Sequence, residues 1–131
     1  MVSKRVVVDA SAIVDLLLGN ETGLAVTARL SGEDMHAPAH LDAEVLSALG
    51  RLHRDGRLAV KQVRSRLEAL VDAPIERHQL PSVVLGAWTR RQNLRLVDAI
   101  YVELAERLGA SLVTTDRRLA AGASVAELVG T

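Results

Sequence analysis

The sequence "ASLVTTDRRL", residues 110–119, joins a short apolar segment to an aspartate and then to a helix-like segment. The same order occurs near the other end of the chain, in "RVVVDASAIV", residues 5–14. Each apolar run is too short for a core helix and carries β-branched residues, which favours a buried strand. Both segments therefore predict a strand that ends on an aspartate, Asp9 in one case and Asp116 in the other.

The rest of the chain alternates short strand-like segments with helical ones. The predicted strands are 6–8, 35–38 closed by Pro38, a short one within 74–80, 112–115, and 124–129 as a last edge strand or a frayed end. The predicted helices run from 10 to about 30 with a break at "GNETG", then 40–53, 58–71, 81–92 after Pro81, and 96–108 with Gly109 as its cap. This alternation indicates an α/β fold with three α/β/α layers and a small parallel sheet of about four to five strands.

Composition limits the function classes. At 131 residues the chain fits one domain, residues 1–131. There is no cysteine, which excludes thiolate metal sites and a cysteine nucleophile. We find no signal segment and no apolar run of membrane-spanning length, so we expect a cytoplasmic protein without a membrane partner. The four histidines show no paired spacing, so a metal site built on histidine is not expected and any metal should bind to oxygen.

Four carboxylates are placed to meet at one edge of the sheet. Asp9 and Asp116 follow parallel strands, whose carboxyl ends share an edge. Glu44 and Asp98 lie at the borders of the apolar faces of their helices. Grouped carboxylates repel one another unless they hold a hard cation, and oxygen-rich sites suit Mg²⁺ or Mn²⁺. By contrast, Glu103 is predicted to face solvent.

Each of these acids also has a purely structural interpretation. An aspartate between a strand and a helix is a common N-cap, which applies to Asp9, Asp98 and Asp116. Glu44 could pair with Arg51 or Arg90. If the four acids do bind a metal, that metal can position a phosphodiester and lower the pKa of a bound water. Nearby hydroxyls, Ser11, Thr114 and Thr115, are expected to donate hydrogen bonds rather than to act as nucleophiles.

Three segments together resemble the PIN-domain ribonucleases, and specifically the VapC toxins of type II toxin-antitoxin pairs. They are "VVVDASAIVDLLLG" at 6–19, "HLDAEVLSALGRL" at 40–52 and "LRLVDAIYVELAERLGASLVTTDRRLA" at 94–120. The resemblance covers nearly the whole chain. It implies a PIN-like fold and a metal-dependent endoribonuclease that hydrolyses RNA with a metal-activated water.

The same resemblance implies residue roles and partners. The catalytic and metal-binding residues it implies are Asp9, Glu44, Asp98 and Asp116, with Ser11 and Thr115 in support. It also implies Mg²⁺ or Mn²⁺, an RNA substrate, a cognate antitoxin and a homodimer, and no organic cofactor. The apolar content of the helices at 58–88 favours the same homodimer.

Several residues lie outside the core set of the family. Asp15 and Asp42 match none of its motifs, and we interpret them as solvated or first-turn residues. Trp88 and Tyr101, the only aromatic residues, are expected to pack in the core. Without the four proposed ligands the remaining charge is positive, which is compatible with a basic RNA-binding rim. The candidates for it are Arg54, Arg57, Arg90, Arg91 and Arg95.

Three other functions fit parts of the pattern. A response-regulator receiver needs an acidic pair near the first strand and a lysine after the last, and neither surrounds Asp9 or Asp116. A non-catalytic α/β interaction module, in which the acids only cap helices, predicts no metal dependence. A PIN-like DNA nuclease shares the fold but is longer. The sequence names neither the RNA that is cleaved nor the cleavage site.

Overall fold

The computed structural model describes residues 4–130, which form a parallel sheet flanked by helices. The strands are β1 (Arg5–Val8), β2 (Asp34–Pro38), β3 (Ile75–His78), β4 (Ser111–Thr114) and β5 (Ala126–Leu128). The helices are α1 (Ala10–Leu18), α2 (Glu21–Leu30), α3 (Leu41–Arg54), α4 (Val60–Asp72), α5 (Val84–Trp88), α6 (Leu96–Leu108) and α7 (Arg117–Gly122). The expected α/β class and the strand positions are confirmed, including the edge strand near the C-terminus.

All strand pairs are parallel, and the strand order is β3-β2-β1-β4-β5. From β1 the chain first builds outward through β2 and β3, and later returns to place β4 on the other side of β1. The order of strands therefore reverses between β1 and β4. In parallel sheets a crevice opens at the carboxyl ends of the strands at such a reversal. Asp9 follows β1 and Asp116 lies just beyond β4, so both flank this crevice.

The two central strands are buried on both faces of the sheet. Val6, Val7 and Val8 of β1 are at most 2% exposed, and Leu112 and Val113 of β4 are fully buried. Such continuous burial requires a helical layer on each face, and this explains why these strands read as unbroken apolar runs. Helix α6 lies across the middle of the sheet, where it contacts β1, β2 and β4.

Two glycines end α1 and α6. Gly19 after α1 and Gly109 after α6 have φ of 67° and 62°, the left-handed conformation that glycine adopts at little cost. The expected cap at Gly109 is thus confirmed. Within residues 4–130, none of the helices has both the length and the apolar character that crossing a bilayer demands.

The region between β3 and α6 differs from its prediction. The expected helix over 81–92 is instead a 3₁₀ turn at Leu80–Ser82 followed by the short α5. Because α5 ends at Trp88, that side chain stays 55% exposed and does not pack in the core as expected. The helix also packs on α6, so the outer side of α6 is covered.

That covering explains a second error, at Glu103. This residue is 8% exposed and not solvent-facing, because α5 closes over it and Gly86 leaves room for its carboxylate. Glu103 accepts hydrogen bonds from Arg90 at 3.0 Å and from Arg107 at 2.7 Å. Burial opposes ionisation, but the bonds from these arginines lower the pKa of Glu103 below its ordinary value.

The outer strand β5 is joined to α2 by an ion pair. Glu127 of β5 accepts two hydrogen bonds from Arg29 of α2, at 2.6 and 3.0 Å. Arg29 also contacts Glu33 at 3.1 Å, so one guanidinium group bridges two carboxylates. These bonds raise the pKa of Arg29 above its ordinary value.

Candidate active site

All four predicted acids line one cavity at the carboxyl ends of β1 and β4. The cavity has a volume of about 400 Å³. We call it the acid cavity. Its acidic and basic lining residues are Asp9, Asp15, Glu44, Asp98, Asp116, Arg51 and Arg95. Ser11 and Tyr101 also contribute to the wall. Four separate parts of the chain, two strand ends and two helices, thus bring their carboxylates to the same space.

Asp9 lies deepest in this cavity and is only 4% exposed. Its carboxylate accepts hydrogen bonds from the Ser11 hydroxyl at 2.8 and 3.0 Å and from the Ala12 amide at 2.9 Å. The Thr114 hydroxyl donates a further bond at 2.6 Å. The bond from Ala12 makes Asp9 the N-cap of α1, so the capping interpretation is correct for this residue.

Burial raises the pKa of Asp9 to about 6, well above its ordinary value of 3.8. The bonds from Thr114, Ala12 and Ser11 oppose the rise, while the negative charge of Asp116 adds to it. The hydrogen-bond donors therefore compensate only part of the cost of burying this carboxylate. A carboxylate held in this state gains from a nearby cation.

Asp116 caps the next helix. It accepts hydrogen bonds from the amides of Arg118 at 2.9 Å and Leu119 at 3.5 Å, at the start of α7. Its own amide donates to the Thr114 hydroxyl at 3.0 Å. Because that hydroxyl also bonds Asp9, Thr114 links the two strand-end aspartates through one oxygen.

Thr115 contacts Asp15 and Ser11 and bonds none of the four predicted acids directly. Its hydroxyl donates to Asp15 at 2.8 Å, and its amide donates to the Ser11 hydroxyl at 3.2 Å. Asp15 therefore lies in the acid cavity and not in solvent, which corrects its interpretation. The spacing of Ser11, Val14 and Asp15 at i, i+3 and i+4 places them on one face of α1, and this signal could have identified Asp15.

Glu44 is held by an aromatic residue and a histidine. The Tyr101 hydroxyl donates to its carboxylate at 2.6 Å, and His40 lies 3.4 Å from the same oxygen. Glu44 thus pairs with neither Arg51 nor Arg90. Tyr101 is 1% exposed, as expected for a core residue, and burial together with its bond to Glu44 raises the pKa of its hydroxyl. A tyrosine in this state remains a proton donor throughout the neutral range.

Asp98 is paired with an arginine one helical turn earlier. Arg95 donates to both carboxylate oxygens, at 2.9 and 3.3 Å. The aspartate side chain is 14% exposed and the arginine 61%, so the pair lies at the mouth of the acid cavity. Asp98 is not an N-cap, since that position of α6 is Arg95. The hydrogen bond to Asp98 raises the pKa of Arg95.

The arginines proposed for a basic rim differ in whether they line the acid cavity. Arg95 lines the acid cavity, whereas the described lining does not include Arg54, Arg57, Arg90 or Arg91. Two of these have other contacts, since Arg90 binds Glu103 and Arg91 lies over the Trp88 ring at 4.7 Å. Arg90 is thus held by Glu103 and lies outside the described cavity lining.

Arg51 is a cavity residue that the sequence interpretation omitted from the rim. It stands seven residues after Glu44, and Ser47 and Ala48 lie between them on the cavity wall. This i, i+3, i+4, i+7 spacing marks a single face of α3. Asp42, by contrast, lies outside the cavity lining and forms a bidentate pair with Arg77 at 2.8 and 3.2 Å.

Comparison with known proteins agrees with this geometry. The PIN domain family model matches residues 6–124. Ribonuclease VapC3 of Mycobacterium tuberculosis is 56% identical over 128 residues, which cover 97% of this chain and 93% of the relative. Ribonuclease VapC12 of the same organism is 40% identical over 121 residues, which cover 88% and 89% of the two chains.

Two solved structures share the fold. The crystal structure of PAE2754 from Pyrobaculum aerophilum has a TM-score of 0.69 and 26% identity, over 93% of this chain and 81% of that chain. Mycobacterium tuberculosis VapC20, a Sarcin-Ricin loop cleaving toxin, has a TM-score of 0.67 over 88% of this chain and 93% of that one. At 14% identity, the likeness to this structure shows a shared fold and nothing further. Fold, cavity and relatives agree, and the chain belongs to the PIN-domain family, among the VapC ribonucleases.

Proposed function

We propose that this protein is a metal-dependent endoribonuclease and the toxin of a toxin-antitoxin pair. The observation that carries the proposal is the meeting of Asp9, Glu44, Asp98 and Asp116 in one cavity. Relatives that match over most of the chain are named ribonucleases, which supports RNA as the substrate. The activity is hydrolysis of a phosphodiester bond within the RNA chain.

The donor set of the acid cavity suits Mg²⁺ or Mn²⁺. Among the described lining residues, the side chains able to bind a cation are carboxylates and hydroxyls, the ligands that these ions prefer. We assign Asp9, Glu44, Asp98 and Asp116 as the residues that hold the metal. The bound ion would neutralise charge on the phosphodiester and lower the pKa of an attacking water. A cation would also relieve the repulsion between Asp9 and Asp116.

The neighbouring side chains fix the carboxylates before the metal binds. Ser11 and Thr114 hold both oxygens of Asp9, and Tyr101 directs one oxygen of Glu44. Such hydrogen bonds to metal ligands set their orientation and contribute to metal affinity. We therefore assign Ser11, Thr114 and Tyr101 as positioning residues, and give Thr115 the same role towards Asp15.

Arginines at the cavity would bind the RNA backbone. Arg51 and Arg95 lie in the wall of the acid cavity, and guanidinium groups bind phosphate oxygens in a bidentate manner. Arg95 is now paired with Asp98 and would exchange this partner for a phosphate when the metal takes the carboxylate. Arg54, at the end of α3, Arg57, just beyond it, and Arg91 would add to this binding from outside the described lining.

The cognate antitoxin would cover the cavity. With more carboxylates than guanidinium groups in its wall, the cavity attracts a basic side chain when no metal is bound. We propose that the antitoxin places an arginine or lysine there and so blocks the metal and the RNA together. Co-expression with the antitoxin should restore growth of cells that the protein alone inhibits.

We also propose a homodimer. The helices between residues 58 and 88 expose the apolar side chains Val60, Val71, Leu85 and Trp88, each more than half accessible. Such side chains are typical of a surface that a second copy covers. Sedimentation should show a species of twice the 14.0 kDa chain mass at micromolar concentration, and a single-chain mass would contradict this proposal.

One experiment tests the activity directly. Purified protein is incubated with a structured RNA and with single-stranded DNA of the same sequence, in Mg²⁺, in Mn²⁺ and in EDTA. We expect internal cleavage of the RNA with either metal, none in EDTA, and recovery when the metal is restored. Cleavage that continues in EDTA would refute the metal mechanism, and preferential cleavage of the DNA would replace RNA as the substrate.

A further inference from the structure

A group of histidines and acids lies within the sheet, away from the acid cavity. Asp34 and His36 are alternate residues of β2, and Glu76 and His78 are alternate residues of β3. In the parallel register His36 is opposite Glu76, and His78 is opposite Pro38. Because alternate residues of a strand share one face, the four side chains stand on the same face of two neighbouring strands. We call them the histidine cluster.

Three of these side chains converge on one point. The distance from His36 Nδ1 to His78 Nε2 is 2.8 Å, and that from His36 Nδ1 to Glu76 Oε2 is 3.1 Å. The remaining distance, from His78 Nε2 to Glu76 Oε2, is 3.9 Å. The sequence showed no paired spacing of histidines, whereas the structure brings His36 and His78 together, because their pairing depends on the register of two strands and the residues are 42 positions apart.

The fourth residue fixes the orientation of His36. The Asp34 carboxylate lies 3.0 Å from His36 Nε2 and accepts a hydrogen bond from the N–H group of that nitrogen. In the neutral ring this leaves the lone pair of Nδ1 directed towards Glu76 and His78. A carboxylate that binds the far nitrogen of a histidine in this way is the usual partner of a metal-bound imidazole.

A cation placed between the three converging atoms would contact all of them together. His78 Nε2 can donate a hydrogen bond to Nδ1 of His36, but the 3.1 Å contact of Nδ1 with the Glu76 carboxylate then joins two acceptors, which a cation would relieve. The cation is either a proton on His36 or a metal ion that binds all three atoms. The metal satisfies more of them, because it accepts lone pairs from three atoms, whereas a proton forms one strong hydrogen bond.

The spacing of the three atoms fits a tetrahedral ion. With metal-to-ligand bonds of about 2.0–2.1 Å, two ligand atoms on a tetrahedron lie about 3.3 Å apart. The observed separations of 2.8, 3.1 and 3.9 Å lie on both sides of this value. Two imidazoles and one carboxylate suit Zn²⁺ and related transition metals better than Mg²⁺, which prefers oxygen ligands alone.

We propose that His36, Glu76 and His78 form a second metal site, which takes one transition metal ion of the zinc class. Asp34 is its positioning residue. The site is open to solvent, because the Glu76 side chain is 66% exposed and the His78 side chain 25%, so an ion can enter. His36, with a side chain 6% exposed, anchors the site in the sheet.

A bound ion would fasten the edge of the sheet. β3 has four residues and pairs only with β2 among the described strands. An ion shared by His36 and two residues of β3 joins these strands through side chains as well as backbone. The site is thus expected to act on the stability of the edge rather than on RNA hydrolysis.

The test measures Zn²⁺ binding by the full chain, with excess Mg²⁺ present to occupy the acid cavity. The variants are His78→Gln, Glu76→Gln and Asp34→Asn, and His53→Gln is the matched histidine control outside the cluster. His36 is left unchanged because its burial makes loss of folding a risk. Bound zinc is measured by equilibrium dialysis, and the thermal midpoint is recorded with Zn²⁺ and with EDTA.

We expect about one Zn²⁺ per chain in the wild type and in His53→Gln, with a Zn²⁺-dependent rise in thermal midpoint of about 5–10 °C at a hundredfold excess over the dissociation constant. Affinity should fall at least 10- to 100-fold in all three cluster variants. In EDTA their midpoints should match the wild type, which shows that they are folded. Absence of zinc binding, or equal affinity in wild type and His78→Gln, would overturn the proposal.

Discussion

The acid cavity and the histidine cluster lie at different places in the same sheet. In the acid cavity two of the four acids follow β1 and β4 and two lie on α3 and α6, so each can be recognised in its own segment of sequence. In the histidine cluster the functional groups lie within β2 and β3, and only the pairing of two strands brings them together. The ligands proposed for the first region are carboxylates, and those proposed for the second are two imidazoles and a carboxylate. Position in the sheet thus decides how readily the residues of each region are recognised from the sequence.

The largest expected effect separates the two regions by activity. Asp9→Asn, Glu44→Gln, Asp98→Asn and Asp116→Asn should each lower RNA cleavage by about 100-fold or more, since even loss of an outer hydrogen-bond partner costs about 10- to 100-fold. His78→Gln is the control from the histidine cluster and should cleave RNA within about twofold of wild type, because it lies away from the acid cavity. Cleavage is measured at fixed Mn²⁺ concentration.

Wild-type rates in all four carboxylate variants would mean that these acids serve local structure alone. The asparagine variants are informative because asparagine caps a helix about as well as aspartate. Asp9 and Asp116 cap α1 and α7, so alanine would remove a cap and a ligand together. A large loss in His78→Gln would show that the two regions act as one.

The next effect concerns the buried carboxylate of Asp9, which follows the central strand β1. The pKa of Asp9 is about 6 in the folded protein and about 3.8 in the unfolded chain, so the folded state binds the proton more tightly. Its contribution to stability is complete below about pH 3.8 and is lost as the pH rises through 6. In EDTA we expect this group to lower the free energy of unfolding by about 2–3 kcal/mol between pH 4 and pH 7.

The difference between wild type and Asp9→Asn isolates this contribution. Denaturant unfolding across that pH range should show Asp9→Asn to be the more stable at pH 7 and to lose less stability as the pH rises. Asp72→Asn, at the exposed end of α4, controls for the removal of one negative charge. If the curves of wild type and Asp9→Asn run parallel, Asp9 does not carry the burial cost assigned to it.

A third effect examines the hydroxyl that links the two aspartates. Thr114→Val keeps the shape of the side chain but removes the donor to Asp9 and the acceptor for the Asp116 amide. We expect a loss of about 1–3 kcal/mol in the free energy of unfolding, because a buried donor is left without a partner. Thr114→Ser retains the hydroxyl and should lose less. Equal losses in the two variants would assign the cost to the methyl group instead.

The smallest effect is expected at the edge of the sheet without metal. Glu76→Gln should change the free energy of unfolding in EDTA by less than about 0.5 kcal/mol, since the side chain is largely exposed. Thermal unfolding in chelator measures this value. A loss comparable with that of Thr114→Val would show that the cluster stabilises the edge even without an ion, and would weaken the contrast between centre and edge.

The sequence was sufficient for the fold and for bringing the four acids together. Strand identity came from short apolar runs, and the common edge followed from parallel pairing, so the positions of Asp9 and Asp116 followed from their own segments. Glu44 followed from helical periodicity, since it borders the apolar face of α3. These features depend on neighbours within about one turn or one strand, which a sequence displays directly.

The errors arise where distant segments meet. Glu103 was predicted to face solvent because the periodicity of α6 does not show that α5 covers its outer side. The pairing of His36 with His78 was not predicted, because the sequence of neither strand indicates the register of β2 against β3. Asp15 and Arg51 are different, since their spacing from Ser11 and Glu44 is visible in the sequence and would have placed them on the cavity wall.

The ion pair between Arg29 and Glu127 has a consequence for assembly. An outer strand offers unpaired backbone groups to which another chain can add, and charged side chains along it oppose such growth. Strand β5 is only three residues long and carries Glu127, held in place from α2, while β3 at the opposite border carries Glu76, Arg77 and His78. The charged side chains on the two outer strands thus oppose polymerisation by strand addition. Strand addition is therefore not the expected way for an antitoxin or a second copy to bind this protein.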